Sequence, residues 1–156
     1  MSLALFTLLH IVISVIGIVT GFGALAGMLA GKLLPRWTAW FLVTTAVTSV
    51  TGFFFPFRGF TPAIGFGIVS LVILGVAAYA LYGRHLSGGW RKAFLFCSLG
   101  ALYLNTFVLV VQFFQKFPSL VELAPTQSEA PFAVSQRLLL VTFIWLGWAA
   151  NGRFRA

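Results

Sequence analysis

Four stretches of the chain carry no formally charged side chain: Met1 to Gly31, Trp37 to Phe57, Gly59 to Gly83 and Ala93 to Gln115. Each is at least as long as the roughly 20 residues a helix needs to cross about 30 Å of hydrocarbon. A fifth run, Leu138 to Gly152, is uncharged but shorter, and Phe132, Ala133 and Val134 extend its apolar character upstream past Arg137. Backbone N–H and C=O groups within hydrocarbon must be satisfied inside the segment, so continuous apolar runs of this length read as helices. The expectation is an all-α membrane protein, a five-transmembrane-helix bundle. Its helices fall at about 3–30, 37–57, 60–83, 92–116 and 129–151, with an outer loop at about 117–128, all within one domain, 1–156.

Composition excludes a soluble alternative. The chain is 60% hydrophobic and 8% charged, against about 25% charged for a soluble domain. The net charge of +8 would point to nucleic acid in a soluble protein. Here the cations lie between apolar runs, where they set topology and meet lipid headgroups, and no basic run is long enough to track a phosphate backbone. Nucleic acid is therefore not an expected partner, whereas membrane lipids are. A single cysteine, Cys97, excludes an intramolecular disulfide and reads as a small packing residue. Ala24-Leu25-Ala26 has the look of a signal-peptidase site. No cation precedes the run, however, and the run exceeds the usual apolar length of a signal, so it reads as a retained helix.

Charge also predicts orientation. Lys32, Arg36, Arg84, Arg91, Lys92, Arg153 and Arg155 fall on one face of the predicted bundle, and Arg58, Lys116 and Arg137 on the other. Seven against three places the first face in the cytoplasm, with the N-terminus outside and the C-terminus inside. Trp37, Trp40, Trp90, Trp145 and Trp148 map toward the cytoplasmic face. Phe53, Phe54, Phe55, Phe57, Phe113, Phe114 and Phe117 crowd the outer one.

Local signals sharpen the ends. Ser128 is the expected N-cap of helix five, with Glu129 and Pro131 in its first turn. Ser119 and Glu122 have capping-box spacing, which predicts a short amphipathic helix in the outer loop before Pro125. In helix one, Gly17/Gly21, Gly23/Gly27 and Gly27/Gly31 have GxxxG spacing, which permits close approach of another helix. That partner helix belongs to the same chain on the preferred reading. A homo-oligomer or a larger membrane complex is the alternative.

His10 is the one ionisable residue well inside a span, apart from the interfacial Arg137, and such a residue marks a candidate functional site. Asn105 and Gln112 are seven residues apart on helix four and share a face, while helix two offers Thr44, Thr45, Thr48 and Thr51. On a structural reading, neutral His10 bonds Gln112 or a threonine and ties helices together. On a functional one, His10, Asn105, Gln112 and Thr48, with Glu129 above them, line an outward-facing pocket for a quinone, a lipid or a small solute. No intramembrane carboxylate, GxSxG, HExxH or P-loop pattern supports an enzyme. Haem held between His10 and His85 is disfavoured, because the two fall at opposite faces. The cofactor remains unknown at this stage. Three functions follow: a ligand-binding or complex-subunit bundle, a small transporter or channel, and a haem- or quinone-binding redox protein. The second requires a polar path continuing below Asn105.

The segments LHIVISVIG, LYLNTFVLVVQFFQKFP and LAPTQSEAPF resemble small, uncharacterised, multi-pass membrane proteins of bacteria. The resemblance implies a bacterial inner-membrane location and no particular activity. His10, Asn105, Gln112, Gln127, Ser128 and Glu129 lie inside these segments.

Overall fold

The computed structural model describes residues 2–56, 59 and 62–155. It is built from helices: α1 (Leu3–Leu29), α2 (Pro35–Gly52), α3 (Pro62–Ala78), α4 (Trp90–Lys116), α5 (Pro118–Leu123) and α6 (Ala130–Arg153). A π-helical turn, Tyr79–Gly83, continues α3, and no strand occurs among the described residues. The ends follow from residue chemistry. Ser2 Oγ accepts the Leu5 N–H at 3.3 Å, and α2, α5 and α6 each open with proline in the first turn, where no intrahelical N–H is lost.

Four helices are long and apolar enough to cross a membrane: α1, α3 with its π turn, α4 and α6. The expected fifth, α2, has 18 residues, about 27 Å at the helical rise, but Thr38, Thr44, Thr45, Thr48, Ser49 and Thr51 make it less apolar than the rest. Three of these hydroxyls are satisfied locally. Thr44, Ser49 and Thr51 donate to the carbonyls of Trp40, Thr45 and Val47 at 2.6, 2.9 and 2.8 Å.

The helices alternate in direction. α1 packs along α2, α3 along α4, and α2 touches α3. α4 is central, meeting α1, α3 and α6. One end of the bundle gathers Lys32, Arg36, Arg84, Arg91, Lys92, Arg153 and Arg155 (the cationic end). The opposite end holds the start of α1, the end of α2 and the end of α4. The well-packed core lies toward the cationic end and includes Leu25, Met28, Phe41, Leu74, Phe94, Leu95, Leu102 and Phe154. Close approach there depends on glycine. A methyl at Gly21 would fall 2.6 Å from Leu102 Cδ1 and 2.8 Å from Phe41 Cδ2, and one at Gly23 would strike the Trp37 ring. Gly17, Gly21 and Gly23 thus pack against α2 and α4 of the same chain. Large apolar side chains such as Val72, Leu138, Val141, Ile144 and Trp148 are more than 60% exposed, which suits a bundle surrounded by lipid.

Several boundaries differ from expectation. α2 ends at Gly52, short of residue 57. The expected bounds at 57 and 60, together with Arg58, lie outside the described residues. Glu129, not Ser128, occupies the N-cap of α6. Its carboxylate turns back to accept Thr126 Oγ1–H at 2.8 Å and the Thr126 and Ser128 N–H groups at 3.2 and 3.1 Å. These bonds, that from the Thr126 side chain foremost, hold the Glu129 carboxyl below its ordinary range. The loop helix α5 forms, but Pro118 starts it and Ser119 caps nothing.

Candidate ligand cavity

A cavity of about 670 Å³ opens between α1, α2, α3 and α4 in the half away from the cationic end. Along α1 it runs from Thr7 to Ile18, roughly 16 Å at the helical rise. Its walls are mostly apolar, with Ile11, Val15, Ile64, Val108 and Leu109 among them, and Phe53, Phe55, Phe113 and Phe117 stand near the mouth beside Lys116. α6 contributes nothing to the lining.

The polar side begins with His10. Its Nδ1 lies 2.8 Å from Thr51 Oγ1. Thr51 Oγ1 also lies 2.8 Å from Val47 O and 3.1 Å from Thr48 O, and which side chain donates in the His10–Thr51 bond follows the ring tautomer. Nε2 makes no hydrogen bond to the protein. The Phe55 ring meets the imidazole edge-on at 5.1 Å between centroids. One turn down, Ser14 Oγ donates to the His10 carbonyl at 2.7 Å and reaches Thr48 Oγ1 at 3.4 Å. At the floor, Thr45 Oγ1 and Asn105 Nδ2 are buried without a hydrogen-bond partner. Gln112, Ser70, Ser49 and Thr7 add to the polar lining.

His10, Thr48, Asn105 and Gln112 thus line one cavity, as does Lys116. Glu129 does not line it and instead organises the turn before α6. Of the partners considered for His10, a threonine of α2 holds the ring. Sequence reasoning passed over Ser14, Ser70 and Phe55. Ser14 was recoverable, standing one helical turn after His10 on the same face. Ser70 and Phe55 reach the cavity through the packing of α3 and its connection, for which the sequence carries no signal.

At the cationic end a second, more open pocket of about 530 Å³ is lined by Leu86, Gly88, Arg91, Asn151, Gly152 and Arg155. Arg91 Nη1 donates to the Phe154 carbonyl, and the Phe154 ring packs into the core against Phe94. The connection from α3 passes through His85 and Leu86 at φ of 48° and 57°, which turns the Leu86 side chain into the core. No family model, curated protein or solved structure matches the chain.

Proposed function

We propose that the chain is a non-enzymatic, multi-pass membrane protein whose cavity binds an amphipathic ligand. The apolar body of the ligand lies along α1 and α4, and its polar head meets His10, Thr48, Asn105 and Gln112. The observation that carries this reading is the pairing, in one cavity, of apolar walls with uncommitted hydrogen-bonding groups of both kinds. Asn105 Nδ2 has donors to offer, and the Thr45 hydroxyl can both donate and accept. Buried groups of this sort are costly unless satisfied, and a ligand head with a hydroxyl and a carbonyl oxygen would satisfy both.

The proposal includes α2 as a fifth span, because a cavity wall packed between α1 and α3 must lie at their depth. It places the N-terminus outside and the cationic, tryptophan-bearing end in the cytoplasm, supported by the Lys/Arg asymmetry. A bacterial inner membrane is the setting implied by the sequence resemblance, with lipids as the immediate partners.

The test is extraction and mass spectrometry of the protein purified in mild detergent. A defined small amphiphile should co-purify with wild type. His10→Ala should reduce its occupancy roughly five- to tenfold, the value of one hydrogen bond of about 1 kcal/mol, while the protein still inserts and elutes as one species. An extract with no enriched small molecule, or unchanged occupancy in His10→Ala and Asn105→Leu alike, would defeat the reading.

A further inference from the structure

The seven Lys and Arg side chains of the cationic end have no acidic side chain beside them. Both acids of the chain, Glu122 and Glu129, lie between the end of α4 and the start of α6, at the opposite end. Six of the seven cations are exposed, and water solvates them. Arg91 is half-buried, and a charge withdrawn from water is costly without a counter-charge. One N–H of its guanidinium is taken by the Phe154 carbonyl. That bond fixes the group where it lines the pocket of about 530 Å³, with Arg155 as the second charge. Asn151 lines the same pocket. Its Oδ1 has no hydrogen-bond partner, so the amide can turn its N–H groups toward an occupant. The positive end of α4 and the negative end of α6 meet here and oppose each other, so the arginines set the sign. The hollow suits an anion.

Position narrows the anion. Gly152, also in the lining, stands four, seven and eleven residues after Trp148, Trp145 and Val141, spacings that share one helix face. Those three side chains are 76%, 60% and 63% exposed, an apolar stripe with tryptophan toward its end, as at a membrane interface. From Val141 to Gly152 is roughly 16 Å at the helical rise. That is about the depth of one leaflet, half of a hydrocarbon core about 30 Å thick. The pocket therefore sits at head-group level, at the end of a track about as long as an acyl chain. A methyl on Gly152 would meet nothing within 4 Å, so the space beside the track is open.

We propose that the pocket is a head-group site for an anionic phospholipid of the leaflet at the cationic end. The phosphodiester accepts hydrogen bonds from Arg91 and Arg155, and one acyl chain follows the stripe from Trp148 to Val141. An uncharged, hydroxyl-bearing head such as that of phosphatidylglycerol fits. A choline or ethanolamine head would bring another cation into the cluster, so zwitterionic lipid is disfavoured. The inference needs the cationic end to lie at a membrane surface, and it is independent of any ligand in the cavity at the other end.

The test titrates the delipidated full chain, in a mild neutral detergent, with phosphatidylglycerol and with phosphatidylcholine, and counts bound lipid by native mass spectrometry. Wild type should hold one phosphatidylglycerol at least roughly tenfold more tightly than phosphatidylcholine, given two basic residues in the site. Arg155→Gln should weaken it roughly tenfold, the worth of one hydrogen bond to a charged group. Gly152→Leu, whose side chain grows into the open space, should weaken it as much while melting no lower than wild type. Arg36→Gln removes the same charge outside the pocket and should change retention less than about twofold, because screening limits its reach. His10→Ala should leave retention unchanged, and excess inorganic phosphate should not displace the lipid. Equal retention of the two lipids overturns the proposal. So does unchanged retention in Arg155→Gln or in a folded Gly152→Leu, or a loss in Arg36→Gln or His10→Ala as large as that in Arg155→Gln. Displacement by inorganic phosphate would make the pocket a site for a soluble phosphate and overturns the lipid as its occupant.

Discussion

The two halves of the bundle are built from the same helices and solve opposite problems. Toward the cationic end, α1 presents Gly21, Gly23 and Gly27, so α2 and α4 approach closely and Phe41, Leu102, Trp37 and Leu34 fill the space against its backbone. Toward the other end, α1 presents His10, Ser14 and Ile18, α2 presents Thr45, Thr48 and Gly52, and the same four helices leave a cavity of about 670 Å³. In lipid there is little hydrophobic force between helices, so dense contact between small residues supplies cohesion. The packed half therefore holds the bundle together, and its cohesion lets the other half stay open and keep polar groups without partners.

The contrast can be broken most sharply at glycine. Gly21→Ala puts a methyl 2.6 Å from Leu102 and should destabilise by about 1–3 kcal/mol, the usual cost of overpacking. Gly52→Ala, whose nearest neighbour would be His10 Cε1 at 3.9 Å, should be neutral or slightly stabilising. Thermal unfolding in detergent compares them, and equal losses would mean that the two halves are not differently packed. A smaller effect of opposite sign is expected at the unpartnered hydroxyls. Thr38→Val and Thr45→Val each remove a buried group with no bond to lose and should raise stability by about 1 kcal/mol, read by the same melt. Destabilisation in both would mean that those hydroxyls are bonded after all.

The smallest effect lies outside both halves, in the turn before α6. The folded-state pKa of Glu129 is depressed by the Thr126 and Ser128 bonds. Its contribution is therefore present above the ordinary carboxyl value of 4.5 and is lost as pH falls through the lower folded value. Glu129 is partly exposed in the turn ahead of α6, so the change should be local. Protection of the Thr126 and Ser128 amides from hydrogen exchange, relative to the intrinsic rate at each pH, should fall below that pH while the helices stay protected. Glu129→Gln should flatten the response.

Long uncharged runs revealed the helices, because lipid imposes a length and a composition that no other fold requires. α2 was harder to read. Its run looked as long as the others, but its hydroxyls leave it short of the apolarity that marks α1, α3, α4 and α6, and it stops at Gly52. The cavity was partly legible. His10 stood out as an ionisable group in an apolar run, and the seven-residue spacing of Asn105 and Gln112 put both on one side. The turn at Glu129 misled because Ser and Glu both suit a helix start, and the choice between them was made by Thr126, whose hydroxyl and N–H both reach the Glu129 carboxylate.

The hydroxyl-rich character of α2 bears on how the chain enters the bilayer. A segment that presents this many threonines and serines partitions poorly by itself, and the connection from α1, residues 30–34, is short. On the five-span reading, α2 is carried in as the second leg of a helical hairpin. Its polar side chains are shielded by α1 at once and by α3 soon after. Biogenesis would then depend on the glycine face of α1 before any function does, and lengthening that short connection should leave α2 stranded on the cytoplasmic side.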